Sequence, residues 1–157
     1  MKIEYLNIYN NLIKLTRNKT IFLNLKNNDT FSDRLIVLLF HFAFFIKTYK
    51  KKLSKNDAQE LFDFFIRQIE LSIREIGYGD VSVNKKMKDY VNLFYLILEK
   101  IELWENIDNV KKIEIFSNLM NIKEDNVFFV DYFDKYNNFI INNPLKIFTK
   151  DIIDLKF

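Results

Sequence analysis

The sequence has no cysteine, which excludes disulfides, thiolate-based zinc sites and thiol nucleophiles. It has a single histidine, His41, so a histidine-ligated metal centre or a Ser–His–Asp relay has nothing to build on. No cofactor is expected. Glycine and proline are nearly missing: Gly77, Gly79 and Pro144 are the only ones. Long stretches without such breakers favour helices. Met1 runs into Lys2, Ile3, Glu4 and Tyr5 with no basic segment leading into an apolar one. A secretory signal is therefore not expected, and a cytoplasmic location is. The formal net charge is only +3, too small an excess to imply nucleic-acid binding. No specific DNA binding is expected.

What is present is apolar. A content of 49% hydrophobic and 17% aromatic residues excludes a disordered chain. A length of 157 residues suffices for one domain with a sizeable core. The apolar residues recur at helical spacing, which predicts an all-α fold: a single compact bundle of about six to eight helices over residues 1–157.

Tyr5, Ile8, Tyr9, Leu12 and Leu15 mark one face of a first helix, Glu4 to Arg17. A short helix over Ile21 to Lys26 follows, then a turn at Asn27-Asn28-Asp29-Thr30 that supplies a helix N-cap. From Leu35 to Ile46 the chain is apolar on all sides. This run is shorter than the roughly 20 residues of a membrane-crossing helix, and it reads as the central helix of the bundle. Ser54 with Asp57 resembles a capping box. It opens a helix with Phe62, Phe65, Ile69, Ile73 and Ile76 on one side and Asp63, Arg67, Glu70 and Arg74 on the other. Gly77 is placed to end it with a positive φ. Ser82 is read as the N-cap of the next helix, which carries Val83, Met87, Tyr90, Phe94, Ile97 and Ile101 on one face. Helices are expected at Asn109 to Met120 and Asp125 to Ile141, with Pro144 at the first position of one more.

Little of this points to catalysis. His41, inside an apolar run, reads as a hydrogen-bonded core residue, and no acid–base pair presents itself. Gly77-Tyr78-Gly79-Asp80 is too short for a phosphate loop and reads as a tight turn. Lys85, Lys86 and Lys88 stand out. In the first turn and a half of a helix, cations oppose the macrodipole; either salt screening and pairing with Asp80 or Asp89 offset this, or the lysines form a patch facing an anion or an acidic partner. Lys47, Lys50, Lys51, Lys52 and Lys55 cluster at the end of the apolar helix, where the macrodipole welcomes cations. A basic cluster beside an apolar segment also suits contact with anionic lipid. The aromatic stretch Val127 to Tyr136 is open between core and partner surface.

Several spaced phrases carry a resemblance: Asp29-Thr30-Phe31-Ser32-Asp33-Arg34, His41, Leu61-Phe62-Asp63, Arg74-Glu75-Ile76-Gly77-Tyr78-Gly79-Asp80, Lys85-Lys86-Met87-Lys88 and Phe94-Tyr95. Together with Tyr9, Arg17 and Phe22, and over about residues 4–101, this pattern resembles the ubiquinol–cytochrome c chaperone family. Where that family has Gly-Arg after Phe-Tyr, this chain has Leu96-Ile97. Helices over about residues 105–157 lie outside the resemblance.

The resemblance implies an assembly chaperone, not an enzyme. It would bind newly made cytochrome b for biogenesis of the cytochrome bc complex (respiratory complex III), with a small assembly partner and the ribosome nearby. The implied place is the cytoplasmic face of the inner membrane, or the matrix side in a mitochondrion. The implied partner surface is Arg74, Tyr78, Asp80, Lys85, Lys86 and Lys88, with Gly77 and Gly79 shaping the loop. Asp29, Arg34, His41 and Asp63 would support it, and Lys50, Lys51 and Lys52 would face the membrane. Two other readings compete: a general peripheral membrane-binding helical protein, and a ribosome- or RNA-binding module.

Overall fold

A run that is apolar on every side can only sit where every side is covered. In the computed structural model, which describes residues 4–26, 30–123, 127–150 and 157, that run is the middle of a buried helix. The helices in chain order are α1 (Tyr5–Thr16), α2 (Lys19–Leu23), α3 (Phe31–Tyr49), α4 (Lys55–Glu75), α5 (Asp80–Ile101), α6 (Asn109–Leu119), α7 (Phe128–Ile141) and α8 (Lys146–Thr149). Single 3-10 turns lie at Lys50–Lys52 and Trp104–Asn106. Among the described residues the fold is all-α, and their eight α-helices match the bundle expected from the sequence. No helix among the described residues is long and apolar enough to cross a membrane.

α3 is the hub: α1, α5 and α7 pack around it. Val37, Leu39, Phe40, Phe42, Phe44 and Phe45 are wholly inaccessible. The Phe42 and Phe65 rings stack 3.7 Å apart, tying α3 to α4. Phe42→Ala would open a cavity and cost about 3–5 kcal/mol.

Side-chain caps set several helix starts. Thr30 Oγ1 accepts from the Asp33 amide at 3.1 Å, and Ser54 Oγ accepts from the Asp57 amide at 3.0 Å. Both caps were expected from the sequence. Asp29, expected in the same turn as Thr30, lies outside the described residues.

Some boundaries differ from the sequence expectation. The short second helix forms at Lys19–Leu23, not Ile21 to Lys26. Asn18 caps it by accepting from the Thr20 amide, and Leu25 instead forms an isolated antiparallel bridge with Ile122. On α4 the buried residues are Leu61, Phe65, Ile69 and Ile73, whereas Ile76 lies beyond the helix and is exposed. α5 starts at Asp80 with Gly79 as its N-cap, so Ser82 is not the cap. Pro144 precedes α8 rather than opening it: its carbonyl accepts from the Ile147 amide at 3.1 Å.

The aromatic stretch before Tyr136 is core. Phe129, Tyr132, Phe133 and Tyr136 are buried against α3 and α6, and Val127 at the start of the stretch is exposed. The Tyr49 hydroxyl donates to the Ile140 carbonyl at 3.0 Å and the Asn143 carbonyl at 2.9 Å, satisfying groups at the end of α7. A polar node joins α6 and α7 to the rest. Lys112 Nζ donates to Asp134 Oδ1 at 2.9 Å, and the Trp104 indole donates to the same oxygen at 2.9 Å. The Lys112 ammonium also sits 4.7 Å from the centre of the Trp104 ring.

Candidate partner-binding site

The turn between α4 and α5 is built by three residues with defined tasks. Gly77 has φ +105°, a conformation that a Cβ disfavours. Arg74, in the last turn of α4, forms ion pairs with Glu70 one turn back and with Asp80 at the start of α5. Arg74 is a cation at a helix C-terminus and Asp80 an anion at a helix N-terminus, so both macrodipoles favour the arrangement. The pair with Asp80 therefore braces the turn, and much of the donor capacity of Arg74 is used within the chain. Gly79 needs no unusual φ, and a Cβ there would meet open space. Only Gly77 shapes the loop through its backbone.

The rim of this turn is exposed and mixed in character. Ile76, Tyr78 and Val81 are exposed apolar residues, Val81 at 85%. Lys85 and Lys88 are exposed. The Lys86 ammonium lies 4.5 Å from the centre of the Tyr78 ring, a cation–π contact that holds the two as a unit. Because α5 begins at Asp80, Lys85 is already past its first turn. The dipole opposes these lysines less than the sequence suggested, since that field fades within one turn.

The residues expected to support the rim divide. Asp63 is exposed on α4 and accepts from the Gln59 amide nitrogen at 2.9 Å. His41 lies in the core of α3. It is fully buried, with Nδ1 2.8 Å from the Val37 carbonyl and Nε2 2.6 Å from the Tyr132 hydroxyl on α7. Burial pushes its pKa down to about 4. At neutral pH it is the neutral tautomer that donates from Nδ1 to the carbonyl and accepts from the tyrosine at Nε2. Lys50, Lys51 and Lys52 are exposed at the other end of α4, just after α3. Lys47 is drawn away from them: its ammonium contacts both Glu105 carboxylate oxygens, at 2.8 and 2.9 Å.

Arg34 belongs to a different feature. α1, the start of α3 and the second half of α4 enclose a half-open groove of about 380 Å³. Ile13, Leu38 and Ile69 give it an apolar floor. Arg17, Arg34 and Glu75 bring charge, and Gln68 and Ser72 bring hydrogen-bonding groups. Tyr9 lines it half-buried, and burial raises the pKa of its hydroxyl. The sequence phrases containing Tyr9, Arg17, Phe31, Arg34 and Glu75 thus converge on one concavity. Their spacing in the chain gave no sign that they meet. Among the described residues, no group of three or more metal-ligating side chains is assembled.

The model of the ubiquinol–cytochrome c chaperone family matches residues 23–104, just over half of the chain. The chain belongs to that family. The matched part runs from the end of α2 through the α4–α5 turn to Trp104, and so contains every rim residue. α1, with Tyr9 and Arg17, lies before it, and α6 to α8 lie after it. No curated protein and no solved structure matches the chain. As a ubiquinol–cytochrome c chaperone, the protein carries a family assignment that suggests a role in complex III assembly and is not one of catalysis. The Leu96-Ile97 departure has a structural reading, because Ile97 is fully buried in the core where a charged side chain would be costly.

Proposed function

We propose that this ubiquinol–cytochrome c chaperone acts without catalysis, holding newly made cytochrome b until the cytochrome bc complex assembles. The family match through the whole α3–α5 unit carries the reading. Tyr78, Lys85, Lys86 and Lys88 form the client-facing rim, and Arg74, Gly77 and Asp80 set the turn that presents it. A partly assembled membrane protein offers apolar surface together with exposed polar loops. An exposed patch of Ile76, Tyr78 and Val81 beside lysines complements both. A small assembly partner and the ribosome belong to the same proposal, as does peripheral contact with the inner membrane through Lys50, Lys51 and Lys52.

The test is a pull-down of the tagged protein from its own cells in mild detergent, beside a variant carrying Lys85→Glu, Lys86→Glu and Lys88→Glu. Recovery of cytochrome b with the wild type and its loss with the variant are expected. Equal recovery by the charge-reversed protein would remove the rim from the assignment. A second reading, direct binding to lipid, is favoured by Val81 and Tyr78 standing exposed among cations. It predicts sedimentation with phosphatidylglycerol vesicles in the absence of any client.

A further inference from the structure

Tyr49 ties two exposed segments to one end of the molecule. Its side chain is wholly buried, and the Lys52 ammonium lies 5.7 Å from the centre of its ring. Its hydroxyl donates to the carbonyls of Ile140 and Asn143, at 3.0 and 2.9 Å. The turn between α7 and α8 is thereby fixed against the residue that precedes the lysine turn Lys50–Lys52. The family match covers the lysine turn and stops at residue 104, well before the turn between α7 and α8.

The two segments share a composition. Lys50, Lys51, Lys52 and Lys55 on one and Lys146 on the other are exposed. None of the five forms an ion pair among the described residues. Residues 49–56 and 141–146 contain no Asp or Glu. The nearest acids along α4, Asp57 and Glu60, both act on Tyr5 of α1, and Glu60 accepts from the Tyr5 hydroxyl at 3.0 Å. The dipole of α3 favours Lys50, but Lys55 is the first residue of α4, where the dipole opposes a cation. Folding does not call for that charge. Beside the lysines, Ile141 is 48% exposed and Pro144 is also exposed.

The residue types narrow the occupant to one. Residues 50–56 and 141–146 hold no arginine and no aromatic residue, the anchors that dominate protein–protein interfaces. Arginine is shaped to pair with one defined carboxylate, whereas lysine is a hydrated point charge that suits a diffuse negative surface. A nucleic acid would satisfy the lysines and leave Ile141 and Pro144 without apolar contact. A bilayer takes cations at its headgroups and apolar side chains just beneath them.

We propose that this end of the molecule is a composite docking site for an anionic phospholipid bilayer. Lys50, Lys51, Lys52, Lys55 and Lys146 meet the headgroups, and Ile141 and Pro144 enter the interface. The proposal rests on the membrane contact in the chaperone reading. It adds the turn between α7 and α8 to that contact, with Tyr49 as the residue that positions it.

The experiment uses the full chain and vesicles of phosphatidylcholine with or without phosphatidylglycerol, read by sedimentation. Binding is expected only with phosphatidylglycerol present. Each lysine near an anionic surface strengthens binding roughly fivefold. The combined Lys50→Glu, Lys51→Glu and Lys52→Glu variant should therefore bind a hundredfold or more weakly on the same scale, and Lys146→Glu alone fivefold or more weakly. Arginine at the same three positions should keep the binding. The chain has no cysteine, so Ile141→Cys and Val81→Cys variants each take a single environment-sensitive dye. The dye at position 141 should shift to the blue on these vesicles and the dye at position 81 should not, a contrast that misfolding cannot produce. Equal binding by wild type and the Lys50–Lys52 reversal would overturn the proposal. So would a shift at position 81 with none at 141, because the rim would then face the lipid. Lysine-dependent binding of single-stranded RNA without vesicle binding would overturn it too. Loss of binding on reversing Lys50–Lys52, with Lys146→Glu and the dye at position 141 both silent, retains the lysine contact and rejects the composite site. Failure of the site is separable from failure of the chaperone reading. Recovery of cytochrome b from cells by a protein that binds no vesicles retains the client and rejects the site. Vesicle binding through both segments without recovery of cytochrome b retains the site and rejects the client.

Discussion

Removing the Asp134 carboxylate would strand two donors at once. Lys112 is 9% exposed overall, and its ammonium has Asp134 as its ion-pair partner at 2.9 Å. The Trp104 indole, also buried, donates to the same oxygen. Breaking a buried pair by deleting one member costs about 3–5 kcal/mol. Here the Asp134 side chain retains 35% exposure, so water screens the pair and the lower part of that range applies. Leaving the indole unsatisfied adds to the loss. Asp134→Ala should therefore destabilise the protein by about 2–4 kcal/mol. At about 2–4 °C per kcal/mol for a chain of this size, the midpoint should fall by about 4–16 °C. Lys112→Met is the control. It removes the charge that needs pairing and keeps an apolar stem against Trp104, so it should cost about 1 kcal/mol or less. Trp104 is the only tryptophan, so its fluorescence in a urea titration reports this node directly. The reasoning fails if Asp134→Ala stays within about 0.5 kcal/mol of wild type, the level of an ordinary surface change. It fails equally if Lys112→Met is the more damaging substitution.

Three further outcomes follow from the turn and the core. Gly77→Ala should cost about 1–3 kcal/mol because φ +105° is strained for any residue with a Cβ, whereas Gly79→Ser should gain about 0.3 kcal/mol by capping α5; chemical denaturation of the two variants checks both signs. His41 has a folded pKa of about 4, below its unfolded value of about 6.5, so the unfolded chain binds more protons between those limits. Stability should therefore fall as pH drops through that window, by about 3 kcal/mol in total. His41→Gln should flatten this slope, and urea midpoints at pH 7 and pH 5 for both proteins would show parallel falls if the idea is wrong. Tyr49→Phe should cost about 1–2 kcal/mol, since two carbonyls at the end of α7 lose their donor, measured by thermal unfolding.

The helices were legible because burial is periodic. Ile69 and Ile73, or Ile97 and Ile101, lie one turn apart, and that pattern depends on no other part of the chain. Thr30, Ser54 and Gly77 were legible for a similar reason: caps and stops act on backbone groups within a few residues. The start of α5 was not, because Ser82 has the better capping chemistry, while the ion pair of Arg74 with Asp80 fixes where the chain turns. The exposure of Ile76 follows from the same event: α4 ends one residue earlier, and the apolar stripe runs past the packed interface. The rim could be read from the sequence since its residues are close in the chain. The groove could not, because Arg17, Arg34 and Glu75 meet only after α1, α3 and α4 have packed.

The length of α4 has a consequence for how the molecule can stand. Lys50 to Lys52 precede its first turn and Arg74 ends its last, and 21 residues of α-helix measure about 30 Å. The two basic regions are therefore poles, not one patch. A flat bilayer touching both must run along the axis of α4. A bilayer touching the lysines alone leaves the opposite pole pointing into the aqueous phase, roughly a bilayer core's thickness away. In that upright posture the rim would meet extramembrane loops of a client and not its membrane-embedded spans.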